Sequence, residues 1–271
     1  MARFRLSSDR VILGICLLII TCFYVNLSII LSHFHQNEPE TQLDPAGGAL
    51  FIEHAPLFLV VGLPKSGTTS MYHLFSCSGY STSHYCCCGS NRTEYPCGER
   101  RGDRMLSRRL EENLQAQRPL FSKTGNYQVY TQLDGERMGD EGYILPQHYQ
   151  LFQLHEAAPR ATWILTSRPA DDWARSVLNW LDMAQRLQVE YERNTKQAHP
   201  HDNPHQFLVH FYQAHVDRIR RFVELHPSHQ LIEVDITSPD IGSILAKAVL
   251  GVSDKCWTRQ NAGPFFEVVN G

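Results

Sequence analysis

The chain alternates between short apolar runs and stretches with helical spacing. Residues 57–61 (LFLVV) and 162–166 (TWILT) form apolar, β-rich runs of the kind found in buried parallel strands. Residues 231–234 (LIEV) are predicted as another strand, and residues 128–133 alternate as a further strand. Helical patterns cover 105–117, 146–157, 171 to about 192 and 207–223. Strands that alternate with helices predict an α/β fold, with a mostly parallel sheet flanked by helices.

The N-terminal pattern differs from the rest. Residues 11–31 (VILGICLLIITCFYVNLSIIL) contain no charged residue and, as a helix, would span about 30 Å, the thickness of a bilayer's hydrocarbon core. Arginines precede this run and acidic residues follow it, which predicts a cytosolic tail (1–10), a transmembrane signal anchor (11–31), a polar stem (32–56) and a domain on the far side (57–271). A cleaved signal peptide is the alternative, but its apolar core is usually only about 7–15 residues long.

Charge and cysteine content narrow the class of protein. The 271 residues carry 25 Lys+Arg against 28 Asp+Glu, a net charge of -3, which argues against a nucleic-acid partner. An even number of cysteines follows the anchor, which favours disulfides in an oxidising compartment. Asn91-Arg92-Thr93 is an acceptor sequon for glycosylation. The cysteines beyond the anchor are Cys77, Cys86, Cys87, Cys88, Cys97 and Cys256.

A glycine-bounded loop follows the first predicted strand. Its sequence from Gly62 to Ser70 is GLPKSGTTS, and a strand–loop–helix of this kind turns backbone N–H groups toward a phosphate. Gly62 and Gly67 keep the spacing of the nucleotide triphosphatase loop G-x-x-x-x-G-K-[ST]. The position of that loop's lysine is taken here by Thr68, however, and the lysine is Lys65. A P-loop kinase or nucleotide hydrolase is therefore the alternative rather than the first choice.

A second phosphate-binding pattern lies about a hundred residues further on. The strand at 162–166 runs into Ser167-Arg168-Pro169, and Ser176 follows Arg168 by eight positions. Arginine offers a forked donor to a phosphate, and serine adds a hydroxyl donor. On the same predicted helix, Trp173 and Trp180 are seven residues apart and are both expected in the core.

The stretch LVVGLPKSGTTSMY resembles the 5′-phosphosulfate loop of the sulfotransferases that use 3′-phosphoadenosine 5′-phosphosulfate (PAPS), and the strand–Arg–Ser pattern resembles that family's 3′-phosphate motif. The resemblance implies a P-loop-type parallel sheet and PAPS as co-substrate, with no metal required. It is closest to the membrane-bound, carbohydrate-directed branch, which implies a single-pass type II protein of the Golgi membrane with a lumenal catalytic domain. By resemblance, Lys65 contacts the bridging oxygen, and the other cofactor-binding residues are Ser66, Gly67, Thr68, Thr69, Arg168 and Ser176.

Sulfuryl transfer also needs a base near the acceptor hydroxyl. Asp134 ends the predicted strand at 128–133, so its carboxylate should face the same crevice as the loop, although Asp134-Gly135 is also a turn dipeptide. His84 is the second candidate and Lys123 the third. Together these features predict transfer of a sulfuryl group from PAPS to a hydroxyl or amine of a lumenal acceptor such as a glycan. A membrane-bound relative without activity is a further alternative, and the sequence gives no indication of the oligomeric state.

Overall fold

The structure is a computed structural model, and it describes residues 57–87, 105–137, 142–198 and 203–260. The predicted anchor (11–31), the predicted stem (32–56) and the sequon at Asn91 lie outside these residues. Within the described ranges, no helix has the length and apolar character needed to cross a bilayer.

Five parallel strands form the main sheet, in the order β2-β3-β1-β6-β7. The first strand lies at its centre, hydrogen-bonded to β3 on one side and β6 on the other. A separate antiparallel pair is made by β4 and β5. The predicted α/β fold with a parallel sheet is confirmed. The strands are β1 Phe58–Val60, β2 Thr82–Ser83, β3 Val129–Tyr130, β4 Gly135–Glu136, β5 Tyr143–Ile144, β6 Thr162–Ser167 and β7 Gln230–Asp235.

Helices cover both faces of the sheet. Side chains alternate along β1, so Phe58 and Val60 join one apolar cluster, whereas Leu59 and Val61 join another. Helices α1 and α8 pack on the first face, and α2 and α4–α7 pack on the second. The helices are α1 Thr68–Cys77, α2 Leu106–Gln115, α3 Pro146–Tyr149, α4 Leu151–Ala157, α5 Ala170–Leu178, α6 Met183–Thr195, α7 Pro204–Leu225 and α8 Ile241–Ala248.

A disulfide closes the first face. Cys77, at the end of α1, is bonded to Cys256 in a 3₁₀ turn (Asp254–Cys256) after α8, with a Cα–Cα distance of 5.6 Å. Cys86 and Cys87 also form disulfides. The prediction of disulfides is therefore confirmed.

The predicted helix from 171 to about 192 is wrong as a single element. Helix α5 ends at Leu178, and α6 begins at Met183. The break redirects the chain, because α5 packs against α7 whereas α6 packs against β5. It also separates the two tryptophans: Trp173 is fully buried as expected, but Trp180 is 45% exposed, so its placement in the core was wrong.

Candidate active site

The loop from Gly62 to Gly67 joins β1 to α1 in a conformation that requires both glycines. Gly67 has φ 88 and stands at the N-cap of α1, where a Cβ would meet the Ile236 side chain at 2.9 Å. At Gly62 a Cβ would lie 2.0 Å from Thr166 Oγ1. In this described segment no side chain caps the first turn of α1. The N–H groups at that end are therefore oriented to serve an anion.

Neighbouring elements hold the loop in place. The Trp173 Nε1–H group of α5 donates to the Pro64 carbonyl at 2.7 Å, and the Ser66 and Thr166 hydroxyls lie 3.0 Å apart. Arg168, just after β6, donates from Nη1 to the Lys65 carbonyl at 3.3 Å. The two phosphate motifs found in the sequence therefore meet at one place. The Ser66 side chain is buried and its hydroxyl also donates to Leu63 O, so here this hydroxyl stabilises the loop itself.

Positive charge concentrates around this loop. Lys65 is half-buried, and burial, with the nearby Arg168 guanidinium, lowers its pKa. Burial likewise lowers the pKa of Arg168, with Arg175 and Arg259 acting in the same direction and Asp172 opposing them. A site that desolvates several cations close to one another favours an anionic ligand, because the anion relieves their repulsion.

Arg259 is a member of this cationic group that the sequence did not indicate. It follows the disulfide at Cys256, and its Nη2 donates to Ile236 O at 3.0 Å. The next residue, Gln260, donates its backbone N–H to the Ser70 hydroxyl of α1 at 2.9 Å. No motif surrounds Arg259, so only the folded chain brings it to the site.

The other loop candidates contact the ends of neighbouring strands. Thr68 Oγ1 donates to Gln132 Oε1 at 3.5 Å, just beyond β3, and Thr69 Oγ1 lies 3.4 Å from His84 Nε2, just beyond β2. Ser176 is half-buried on α5, which begins two residues after Arg168. Five sequence candidates, Lys65, Thr68, Thr69, His84 and Arg168, thus gather at the carboxyl ends of β1, β2, β3 and β6, where open parallel sheets bind ligands.

Asp134 is fully buried between three donors. Gln147 Nε2 donates to Oδ1 at 2.8 Å, and the Gln132 amide and the Tyr143 hydroxyl donate to Oδ2 at 3.1 and 3.2 Å. Gln147 Nε2 also lies 3.4 Å from the Gly62 carbonyl, so one side chain separates Asp134 from the loop. Burial raises the pKa of Asp134 to about 7, although the three hydrogen bonds oppose the rise. A carboxyl group with this pKa can accept a proton at neutral pH.

His84 is mostly buried beside the start of α1. Its ring lies 5.4 Å from that of Tyr72, and its Nε2 faces the Thr69 hydroxyl. Burial, with His73 nearby, lowers the pKa of His84 to about 4, so its imidazole is neutral at pH 7. Lys123, the third candidate, is exposed. Among the described residues, no three His, Cys, Asp or Glu side chains are grouped to hold a metal ion.

Comparison with known families agrees with this geometry. The model of the family described as "Sulfotransferase domain" matches residues 58–240, which is more than half of the chain. The chain therefore belongs to this sulfotransferase family, and the resemblance seen in the sequence is confirmed at that level. A search of curated proteins found no match.

Proposed function

We propose that the protein transfers the sulfuryl group of PAPS to a hydroxyl, or an amine, of an acceptor such as a glycan. The observation that carries this proposal is the meeting of two anion-binding points. The Gly62–Gly67 loop carries Lys65 and leads into the N-terminus of α1, and Arg168 contacts the same loop from the end of β6. A donor with phosphate groups at two separate positions matches two such points better than a single phosphate would.

The residues present fit PAPS. The N-terminus of α1, with no side-chain cap, suits the 5′-phosphosulfate, and Arg168 with the adjacent Arg259 suits the 3′-phosphate. When bound, PAPS supplies an activated sulfuryl group. Lys65 would stabilise the negative charge that develops on the bridging oxygen, and Gly67, Thr68 and Thr69 would bind the 5′-phosphosulfate. Ser66, whose N–H and hydroxyl both donate to Leu63 O, would maintain the shape of the loop. Ser176 would add a hydroxyl donor for the 3′-phosphate.

Two groups remain candidates for the base that takes the acceptor's proton. The pKa of Asp134, about 7, suits a base at neutral pH, but its carboxyl group is buried and accepts from three donors of the protein. His84 adjoins Thr69 on the rim of the loop, but its low pKa makes it a weaker base. We propose Asp134 first and His84 second.

We also propose a type II orientation in the Golgi membrane, with the domain in the lumen. The uncharged run at 11–31 and the arginines before it support the orientation. The disulfide between Cys77 and Cys256 supports an oxidising compartment. Acceptors in that compartment include glycans.

Calorimetric titration of the full-length protein in detergent tests the donor. The desulfated form of the donor, 3′-phosphoadenosine 5′-phosphate (PAP), should bind without metal. Tight binding of ATP only with Mg²⁺ would instead favour a kinase or nucleotide hydrolase. Adenosine 5′-phosphosulfate lacks the 3′-phosphate and should bind poorly, and Arg168→Ala should remove most of that discrimination. Transfer of radiolabelled sulfate from PAPS to pools of glycans and peptides then identifies the acceptor. Binding of PAP with no transfer to any pool would point to an inactive relative.

A further inference from the structure

The turn between α5 and α6, residues 179–182, presents an exposed aromatic ring next to the Gly62–Gly67 loop. Trp180 is 45% exposed and Leu181 is 90% exposed with φ 47. Backbone bonds fix this turn: Trp180 N–H donates to Val177 O at 3.0 Å, and Met183 N–H donates to Trp180 O at 3.1 Å. Since Val177 is fully buried, the turn is anchored to the core, and the indole projects from a defined point.

The face of this ring lies against the loop lysine. Lys65 Nζ is 3.5 Å from the centroid of the Trp180 ring, well inside the range of a cation–π contact. The Arg168 guanidinium is also close, since it donates to the Lys65 carbonyl and its charge lowers the pKa of Lys65. The ammonium group is therefore repelled by a like charge and attracted by the negative face of an aromatic ring.

We propose that Trp180 is a positioning residue that holds the Lys65 ammonium group in place over the loop before an anion arrives. This inference rests on the proposed function, because the contact affects catalysis only through the role of Lys65 in sulfuryl transfer. A lysine side chain is flexible and can turn into solvent, especially when an arginine repels it. A ring fixed by the α5–α6 turn removes part of that freedom, so the charge is organised in advance of the transition state.

The contact itself can be tested without any ligand. All four tryptophans lie in the described part of the chain, and Trp163 and Trp173 are fully buried. Lys65→Met should change the tryptophan emission of the wild type, and it should leave the emission of the Trp180→Phe variant unchanged. Equal changes in the two backgrounds, or none in either, would overturn the proposal even if the protein proves to be a PAPS-dependent enzyme.

The catalytic consequence is tested by a double-mutant cycle. Trp180→Leu should lower the rate of sulfate transfer about two- to thirtyfold, the range that a cation–π contact supports, and Trp180→Phe should restore part of the loss. PAP affinity should stay within about threefold. In the Lys65→Met background the same Trp180→Leu change should have no further effect. Leu181→Ala, in the same turn, is the matched control and should be neutral.

Other outcomes separate the alternatives. An equal loss of rate from Trp180→Leu in both backgrounds, with a raised KM for the acceptor, would mean that the ring contacts the acceptor directly and would overturn a role through Lys65. No loss in either background would overturn it as well. Failure of the wild type to bind PAP would instead remove the proposed function, while the emission experiment would still decide whether Trp180 holds Lys65.

Discussion

Lys65 differs from the lysine of a nucleotide triphosphatase loop in both position and backbone. It precedes the second glycine of the loop and has φ 67, and its carbonyl accepts a hydrogen bond from Arg168. A positive φ is uncommon for a residue other than glycine and persists where the surroundings enforce it. Here Trp173 and Arg168 bond to the carbonyls of Pro64 and Lys65, and so fix the turn.

Replacing Lys65 should therefore affect chemistry more than binding or folding. We expect Lys65→Ala to lower the rate of sulfate transfer by about 10²–10³, because the ammonium group stabilises charge that appears only as the S–O bond breaks. Steady-state kinetics with radiolabelled PAPS would measure this. Lys196→Ala is the matched control and should leave the rate unchanged, since Lys196 also has a positive φ, 59, but is exposed. A Lys65→Ala enzyme with normal turnover would exclude Lys65 from the mechanism.

The two candidate bases predict different pH profiles. The active form of a base is deprotonated, so the rate should rise with pH through the pKa of the group that acts. A rise centred near pH 7 is expected for Asp134, whereas His84, with its pKa near 4, would leave the rate flat around neutrality.

Substitution tests the same assignment. If Asp134 is the base, Asp134→Asn should lower turnover by about 10²–10⁴ and leave PAP affinity unchanged. If Asp134 is only structural, Asp134→Asn should lower stability, because the Nδ2 group of asparagine cannot accept from the three donors of this carboxyl group, while the turnover of the folded enzyme stays near normal. A large loss in His84→Gln with a near-normal Asp134→Asn would transfer the role to His84, and small losses in both would exclude both.

At the scale of elements, the sequence predicted those strands and helices whose buried side chains form a regular apolar pattern. The strands β1 and β6 were found because a strand covered on both faces is a continuous apolar run. The edge strand β7 was found from its alternating apolar residues, which are buried on one face only. The alternation at 128–133 predicted β3, which the structure limits to Val129–Tyr130. The strands β2, β4 and β5 are two residues long each, too short for a pattern. The break at 179–182 was missed because Trp180 and Leu181 continue an apolar helical pattern. That pattern does not show that Trp180 would be exposed and in contact with the Lys65 ammonium group. Asp134 was placed near the loop by the rule for strand ends.

The disulfide between Cys77 and Cys256 ties the last described element to α1. The two cysteines are 179 residues apart, and closing a loop of that length should stabilise the fold by about 5 kcal/mol in the chain-entropy account. We expect the paired variant Cys77→Ser with Cys256→Ser to lose several kcal/mol of unfolding free energy in urea. PAP affinity should fall as well, because the segment that carries Arg259 is then less firmly held. Unchanged affinity would remove Arg259 from the anion site.

At the scale of the whole molecule, a buried pair of histidines connects α7, on the second face of the sheet, to the residue before the Gly62–Gly67 loop. His215 of α7 lies 2.8 Å through Nε2 from the Val61 carbonyl, the residue before Gly62, and 3.1 Å through Nδ1 from Nδ1 of His148. A carbonyl can only accept, so His215 carries its proton on Nε2. When both rings are neutral, His215 Nδ1 accepts from the Nδ1–H group of His148. The two rings cannot both be protonated, because two N–H groups would then face each other.

This arrangement predicts loss of stability in acid. Burial lowers the pKa of His215 to about 4 and that of His148 well below its usual value of 6.5. Below pH 6.5 the unfolded chain takes up a proton at each of these histidines and the folded chain does not, so the unfolding free energy falls as pH drops from 6.5 toward 4. For His215 the slope is about 1.4 kcal/mol per pH unit, or about 3 kcal/mol over this window.

The raised pKa of Asp134 acts in the opposite sense, since the fold keeps that proton between pH 3.8 and about 7 and gains stability as pH falls through this range. The histidine contribution must therefore be isolated by difference. Urea unfolding of the wild type and His215→Gln at a series of pH values should show a slope smaller by about 1.4 kcal/mol per pH unit in the variant, because glutamine can still donate to Val61 O but cannot titrate. Identical slopes for the wild type and His215→Gln would mean that His215 gains its proton in the folded state as readily as in the unfolded chain. The contact of α7 with the residue before the Gly62–Gly67 loop would then not depend on a neutral His215 ring.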